Sequence, residues 1–463
     1  MNDGTKSIPA LPPALDWMRD PGLEACLVGS AALFLACGER GLPPPPEPHD
    51  LDLAWRPDPD EGARILTGKG FEVSATEGGL GRGTLAFRCE GRRFEITSFR
   101  CGGEGFAERI AEDASRRDMT IGAIYYRLSD RTIHDPMDGL EDWMHGRIRA
   151  CGDVRDRIRE HPIRALRYLR RASLLGFHLD PPTRKGLRAS AREAAAGMLP
   201  EAVGQEIRRT LLECPSPGAF FQMCEEEDLL APLIPELAPL FDGRAAGRIR
   251  HHAEVSQALH MILCLRVAAE LSAERRLAEP RKHSLMLAVL CHDLGKGKTP
   301  GSALPSHHGH GAAGVPIVEA FFDRFPGLGN RRVRLFCKAL ARNHLILTKL
   351  RRLRPGTLAD LWERDLRPFR EELDLCALAV RSDKEGRLEA ADIGLPPHPE
   401  HERRESPEEL ENRVLKDLEE IDAICRSVDG GESAAKFEGR PEDIRRDLRD
   451  RRIEAIVRAG YVR

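Results

Sequence analysis

The chain has 463 residues, 41% hydrophobic, 31% charged and 5% aromatic, which allows roughly three domains with sizeable cores and excludes a disordered chain. Its 71 cationic residues, 60 of them arginine, against 74 acidic ones leave a formal net charge of −3, so any nucleic-acid surface must be a local patch. Twelve cysteines without a Cys-x-x-Cys pair indicate neither a zinc ribbon nor a disulfide framework and predict a reduced, cytoplasmic setting, while the absence of an apolar stretch of ~18 residues excludes a membrane span.

Residues 1–22 are Pro-rich and lack the pattern of a signal peptide, predicting a loose arm. From 23 to 150 short apolar strands alternate with helix. ACLVGSAALFLACG reads as strand, Gly turn and helix, while HDLDLAW and RFEITSF alternate as strands do. The Pro43–Pro46 run is an extended spacer between them. After Cys151 the strand pattern stops. Glu160–Leu175 repeats apolar residues at helical spacing and predicts one helix ending at Gly176. Helical patterns continue to the end, with a charged helical tail after about Glu402.

Asp50 and Asp52 lie two apart on a predicted strand, which puts both carboxylates on one face. Paired carboxylates suit Mg²⁺, a hard cation that bridges substrate phosphates. The Gly29-Ser30 turn, between strand and helix, can offer backbone N–H groups to a triphosphate. Glu95 on the RFEITSF strand can supply a third carboxylate. An Asp-x-Asp alone is also common as a solvated strand end.

The strand, Gly-Ser, helix and Asp-Leu-Asp order resembles the nucleotidyltransferase head of the polymerase-β superfamily. SRRDMTIGAIYY and IHDPMDGLEDWMHGRIRACGD resemble bacterial class II tRNA nucleotidyltransferases, the CCA-adding enzymes and related poly(A) polymerases. HHAEVSQALHMIL, CHDLGKGKTP, SHHGHGAAGV and RSDKEGR resemble the metal-dependent HD phosphohydrolase domain fused to one bacterial subgroup. The resemblance covers about Leu23 to Ala459. It implies an α+β fold, with a small polymerase-β-type head followed by an all-helical body that contains the HD domain. The implied divisions are an arm (1–22), the head (23–150), a helical nucleotide- and tRNA-binding neck and body (151–240), the HD domain (241–400) and a helical tail (401–463).

The resemblance further implies catalytic roles for Asp50, Asp52 and Glu95 with Mg²⁺. It implies nucleotide binding by Gly29, Ser30, Arg116, Arg117, Asp118, Glu160, His161, Arg164 and Arg167, with Arg and carboxylate side chains imitating a base edge. The chain departs from the family in the turn after Ser30, which reads Ala-Ala-Leu-Phe where the family has Ala-Val-Arg-Asp. It has His161 where the family's Glu-Asp-x-x-Arg motif has Asp, the Pro43–Pro46 insertion, and a short segment from Arg100 to Ala111. Imidazole offers one donor and one acceptor where a carboxylate only accepts.

His260, the His292-Asp293 doublet and Asp383 form a mixed N/O ligand set suited to Ni²⁺, Mn²⁺, Co²⁺ or Mg²⁺. Such an ion generates hydroxide for attack on phosphorus. His308, His310 and His344 can hold a second ion or a phosphate, and Lys296 can pair with phosphate. Arg-rich runs at 331–334, 351–354 and 445–452 read as solvated helix faces, one of which could touch a tRNA backbone. The expected function is transfer of CMP and AMP from CTP and ATP to the tRNA 3′ end, with an HD phosphohydrolase. The alternatives are an A-adding, CC-adding or poly(A)-adding relative, or a non-transferring RNA-binding head serving the HD domain.

Overall fold

The computed structural model describes residues 11–48, 51–75, 83–100, 102–247, 256–388 and 405–461. The apolar run Cys26–Val28 is buried as strand β1 and turns into helix α1 (Gly29–Arg40). The turn needs Gly29, whose φ of +65° is unfavourable for any residue with a Cβ. Strand β2 (Asp52–Trp55) follows the Pro43–Pro46 spacer, which is neither helix nor strand. Helix α2 (Pro59–Gly68) is capped by Asp58, whose side chain accepts from the Glu61 N–H, and begins with Pro at its first position.

By its internal contacts the chain divides into two compact units, Met1–Ala194 and Ala195–Arg463. The first adds strands β3 (Val73–Ala75), β4 (Thr84–Cys89), β5 (Arg92–Ser98), β6 (Tyr125–Arg127) and β7 (Ile133–His134), with helices α3 (Phe106–Ser115) and α4 (Gly139–Met144). The seven strands form one sheet in the order β3-β4-β5-β2-β1-β6-β7. β2 runs parallel to β5 and antiparallel to β1. Cys26, Val28, Ala54, Ile110 and Tyr125 pack in its core.

Three local expectations change. Within residues 1–22, Pro13–Arg19 is a 3₁₀ turn rather than loose arm, because Leu15 and Met18 are fully buried along it. The strands do not stop at Cys151: β8 (Arg147–Ile148) pairs in parallel with β9 (His178–Leu179). The helix expected over Glu160–Leu175 is two helices, α5 (Val154–Glu160) and α6 (Arg164–Leu175). Pro162 disfavours helical backbone at the residue before it, and His161 is extended at φ −148°, ψ 95°. α6 does end at Gly176, in the left-handed conformation. Helix α7 (Pro181–Gly197) follows.

Among its described residues the second unit is helical. It contains α8 (Pro200–Glu213), α9 (Gly218–Glu226), α10 (Leu230–Leu233), α11 (Gln257–Glu274), α12 (Glu279–Cys291), α13 (His310–Arg324), α14 (Arg331–Leu347), α15 (Pro355–Leu361), α16 (Leu373–Glu385), α17 (Pro407–Arg426), α18 (Gly430–Lys436) and α19 (Pro441–Arg458). Leu285–Cys291 of α12 are all buried, as expected of a helix apolar on every side. The Arg-rich runs are tied to acidic partners within this unit. Arg332 pairs with Glu372, Arg351 with Asp417 and Arg449 with Asp360. The eleven described cysteines are buried and none is in a disulfide.

Candidate functional site

In the first unit the parallel register sets Asp52 opposite Glu95, which puts both carboxylates on the same sheet face. Asp52 Oδ2 lies 3.6 Å from where a Cβ on Gly29 would stand, so this carboxylate sits at the start of α1 beside partly buried Ser30. Glu95 accepts a hydrogen bond from Arg93 at 2.9 Å on the exposed face. Asp50 lies outside the described residues.

The residues after α3 separate into two networks. Arg117 turns inward, and its Nε donates to Asp113 Oδ2 at 3.0 Å and to the Tyr125 hydroxyl at 2.8 Å. Burial pushes the Asp113 carboxyl up, but Arg117 and Arg100 outweigh it and hold the group below its ordinary value. Asp118 points the other way and accepts from Arg164 and from Arg167, the latter at 2.8 Å. Arg164, only 2% exposed, also donates to Glu160 Oε2 at 2.6 Å and to the Arg157 and Arg116 carbonyls. The structure therefore brings Asp118, Glu160, Arg164 and Arg167 together across the Pro162 break. Arg116 joins this group through its carbonyl, while its guanidinium pairs with Glu112 at 2.6 Å. His161 is partly buried at the break.

In the second unit six ligand-type side chains converge from separate elements. His260 comes from α11, His292 and Asp293 from the end of α12, His310 from the first position of α13, His344 from α14 and Asp383 from α16. Each is at most 7% exposed. Gly295 makes the turn after Asp293 possible, since a Cβ there would meet the His310 carbonyl oxygen at 1.9 Å. Asp293 stands between the others. Its Oδ2 lies 3.3 Å from His292 Nε2 and 3.5 Å from His260 Nε2, and its Oδ1 lies 3.2 Å from His310 Nε2 and 3.5 Å from His344 Nε2. Asp383 Oδ1 is 3.2 Å from His260 Nε2.

All four imidazoles are anchored from behind. Each Nδ1 faces a backbone carbonyl: His292 to Val289 at 2.6 Å, His310 to His307 at 2.6 Å, His344 to Ala341 at 3.1 Å and His260 to Gly386 at 3.3 Å. A ring that donates from Nδ1 presents the Nε2 lone pair, as metal-ligating histidines do. Burial holds His344 down at about 4, so it is neutral at pH 7. Lone pairs thus face carboxylate oxygens and one another, with His310 and His344 Nε2 3.2 Å apart. His292 Nε2 and Asp293 Oδ1 have no partner with hydrogen-bond geometry among the described residues. Lone pairs converging in this way, beside the charges of Lys296 and Arg387, suit a bound cation. Burial pushes Asp293 and Asp383 up, yet the charges of Lys296 and Arg387 hold both well below the ordinary carboxylate range. Lys296 Nζ is 2.6 Å from Asp293, and Arg387 is 2.6 Å from Asp383.

The cluster opens into a cavity of about 260 Å³ walled by Lys296, Ser306, His307, His308 and Arg387. Exposed His308 lines this wall and is outside the converging ligands.

Residues 44–149 match the family of the Poly A polymerase head domain, and residues 258–424 match the HD domain family. The chain thus joins a segment that matches the poly A polymerase head family to one that matches the HD domain family. It is 35% identical over 286 residues to the multifunctional CCA protein of Nitrosococcus oceani, a stretch that is 60% of this chain and spans 65% of that relative. Its fold is similar to that of a CCA-adding enzyme in complex with CTP (TM-score 0.60, 14% identity, 96% of this chain and 91% of that one). It is also similar to that of the Thermotoga maritima CCA-adding enzyme complexed with tRNA (TM-score 0.54, 14% identity, 89% of this chain and 83% of that one). No helix among the described residues is long and apolar enough to cross a membrane.

Two residues at the HD cluster escape a reading of the motifs. Cys264 follows His260 by four positions, and Arg387 follows Asp383 by four. Each lies one helical turn beyond a ligand, and that spacing is the signal that marks them.

Proposed function

We propose that the head adds CMP and AMP, taken from CTP and ATP, to the 3′ end of tRNA. The HD domain, in this reading, hydrolyses phosphomonoesters or 2′,3′-cyclic phosphates at RNA ends in the cytoplasm. The observation that supports the first half is the Asp52–Glu95 pair on one sheet face beside the Gly29-Ser30 helix start. The 35% identity to a multifunctional CCA protein agrees with it.

In the head, Asp52, Asp50 and Glu95 would hold Mg²⁺, which would screen the phosphates and help ionise the attacking hydroxyl. The tRNA 3′ hydroxyl gives up its proton to solvent, its oxygen bonds to the α-phosphorus, the bond from that phosphorus to the bridging oxygen breaks, and pyrophosphate leaves. The N–H groups at Gly29 and Ser30 orient the triphosphate. Asp118, Glu160, Arg164 and Arg167 present donors and acceptors in fixed register, the chemistry a base edge requires. Arg116 and Arg117 hold that register through the Arg116 carbonyl and the Asp113–Tyr125 contact.

In the HD domain, His260, His292, Asp293 and Asp383 would hold one divalent ion, with Ni²⁺, Mn²⁺, Co²⁺ and Mg²⁺ as candidates. Asp293, His310 and His344 form a second ligand group. The unpartnered His292 Nε2 and Asp293 Oδ1 fit such an occupant. A bound ion there would supply hydroxide at neutral pH. Lys296 and Arg387 place positive charge beside the cavity, where they orient a phosphoryl group. A volume of about 260 Å³ is at the small end of ligand sites, which suits a terminal phosphate with its ribose rather than a long oligonucleotide.

The test gives purified protein CTP alone, ATP alone or both, with tRNAs ending before the first C, after C and after CC. Ordered incorporation of both nucleotides is the expected result. Incorporation of one alone reduces the head to an A-adding or CC-adding relative, and no incorporation overturns the transferase reading. Hydrolysis of a 2′,3′-cyclic nucleotide in the same preparations, abolished by EDTA, tests the HD half.

A further inference from the structure

One turn of α11 carries both His260 and Cys264, so their side chains share a face. Cys264 is fully buried, and its Sγ lies 3.6 Å from His260 Nε2. The ligand atoms of His260, Cys264, His292 and Asp383 all lie within 4.8 Å of one another. Gly386 packs its backbone directly against Cys264, since a Cβ there would come within 2.5 Å of the sulfur. His292 Nε2, buried and without a hydrogen-bond partner among the described residues, points to an occupant of the same space.

The geometry points to Cys264 as a metal ligand of the HD cluster, which turns one of its ligand groups into a thiolate, two-imidazole, carboxylate site for a thiophilic divalent cation such as Zn²⁺ or Co²⁺. The inference rests on the metal-dependent reading of the HD domain and changes which ion that reading favours. Sulfur at ~2.3 Å and imidazole nitrogen at ~2.0–2.1 Å from one tetrahedral Zn²⁺ lie roughly 3.6 Å apart, the separation of Cys264 Sγ from His260 Nε2. The pure N/O set favours harder or borderline ions, and one thiolate shifts the preference toward soft ones. Asp293 is then left to link this group to His310 and His344 through its second oxygen. On binding, the S–H bond breaks, a sulfur–metal bond forms and the proton goes to solvent, so uptake of the ion releases a proton from Cys264.

Full-length protein stripped with EDTA and titrated with Co²⁺ tests this directly. The ligand-field bands of Co²⁺ report binding, and a near-ultraviolet sulfur-to-cobalt charge-transfer band reports a thiolate ligand. Wild type is expected to show both. Cys264→Ser is expected to keep the ligand-field bands and lose the charge-transfer band, and His292→Ala to weaken both. Cys264→Ala provides a second sulfur-free variant, and a thermal melt of each variant checks that it is folded. Charge transfer absent from Co²⁺-loaded wild type, or persisting in both Cys264 variants, overturns the assignment and leaves the HD metal site standing, with the thiol as packing. Absence of any Co²⁺ binding by wild type overturns the metal site and Cys264's part in it together.

Discussion

The charged residues of the head and those of the HD domain meet opposite local conditions. Around Asp118 every charge has a partner of opposite sign, and Arg164 alone reaches two carboxylates and two carbonyls. Around Asp293 imidazole nitrogens crowd a carboxylate that Lys296 also reaches, and two buried polar atoms lack hydrogen-bond partners among the described residues. A network already satisfied by protein groups is rigid and offers its outer edges to a ligand. A cluster left one cation short stores its binding energy for an ion. The head is therefore expected to lose specificity when its pairs change, and the HD domain to lose its chemistry outright when a ligand is removed.

The largest effects come from removing the groups that hold metal. His292→Ala and Asp293→Ala should each take phosphate-ester hydrolysis to background while nucleotide addition continues, because the two constellations lie in separate compact units. Isothermal titration with Mn²⁺ or Co²⁺ alongside both assays checks this. Hydrolysis that survives both substitutions would remove the contrast. Asp52→Ala is the reciprocal case, expected to lower nucleotide addition about a thousandfold or more, several kcal/mol of transition-state stabilisation, with hydrolysis unchanged. Addition at the wild-type rate would show that the sheet-face carboxylates are solvated residues.

A smaller effect is expected where the paired network meets the base. His161→Asp replaces a donor-acceptor ring by a carboxylate beside the Glu160–Arg164 pair. It should change the ratio of CTP to ATP use by about ten- to a hundredfold, the equivalent of ~1–3 kcal/mol for one base-edge contact. Single-turnover rates with each nucleotide measure it, and an unchanged ratio places His161 away from the base.

The smallest effect concerns a buried histidine outside the cluster. Burial, helped by Arg208, lowers His283 to about 4. Between that value and about 6.5 the unfolded chain holds the extra proton, so the unfolding free energy falls as pH falls, by at most ~1.4 kcal/mol per unit. Above about pH 6.5 both states are neutral and the contribution is flat. His283→Leu should flatten the acid limb, read from urea midpoints at pH 7.5 and pH 5. Equal slopes in the two proteins would show that His283 is not held neutral.

The mixed fold was readable because its signals are local. A strand, a Gly-Ser turn and a helix at 26–40, and unbroken apolar helices such as 285–291, each follow from spacing within a few residues. What escaped depends on distance between elements. His260 and Asp383 are 123 positions apart, and although the sequence reading grouped them in one ligand set, neither motif gives their 3.2 Å approach. The inward turn of Arg117 follows from Asp113 and Tyr125, which sit on a helix and a strand that pattern alone does not bring together. The break at Pro162 was legible from the residue itself, but the apolar periodicity on both sides masked it. Cys264 was passed over because a single buried cysteine is ordinarily a small apolar side chain.

The contact at Gly295 has a further meaning as a ruler. The backbone after Asp293 rests directly on the carbonyl of His310, so no side chain intervenes between the turn that carries one ligand and the helix that carries the next. A spacing set by side chains drifts as the core repacks over evolutionary time. A spacing set by main chain on main chain is fixed in the way a mechanical stop is fixed, and it leaves the surrounding core free to change while the distance between the ligands on either side of Asp293 is held.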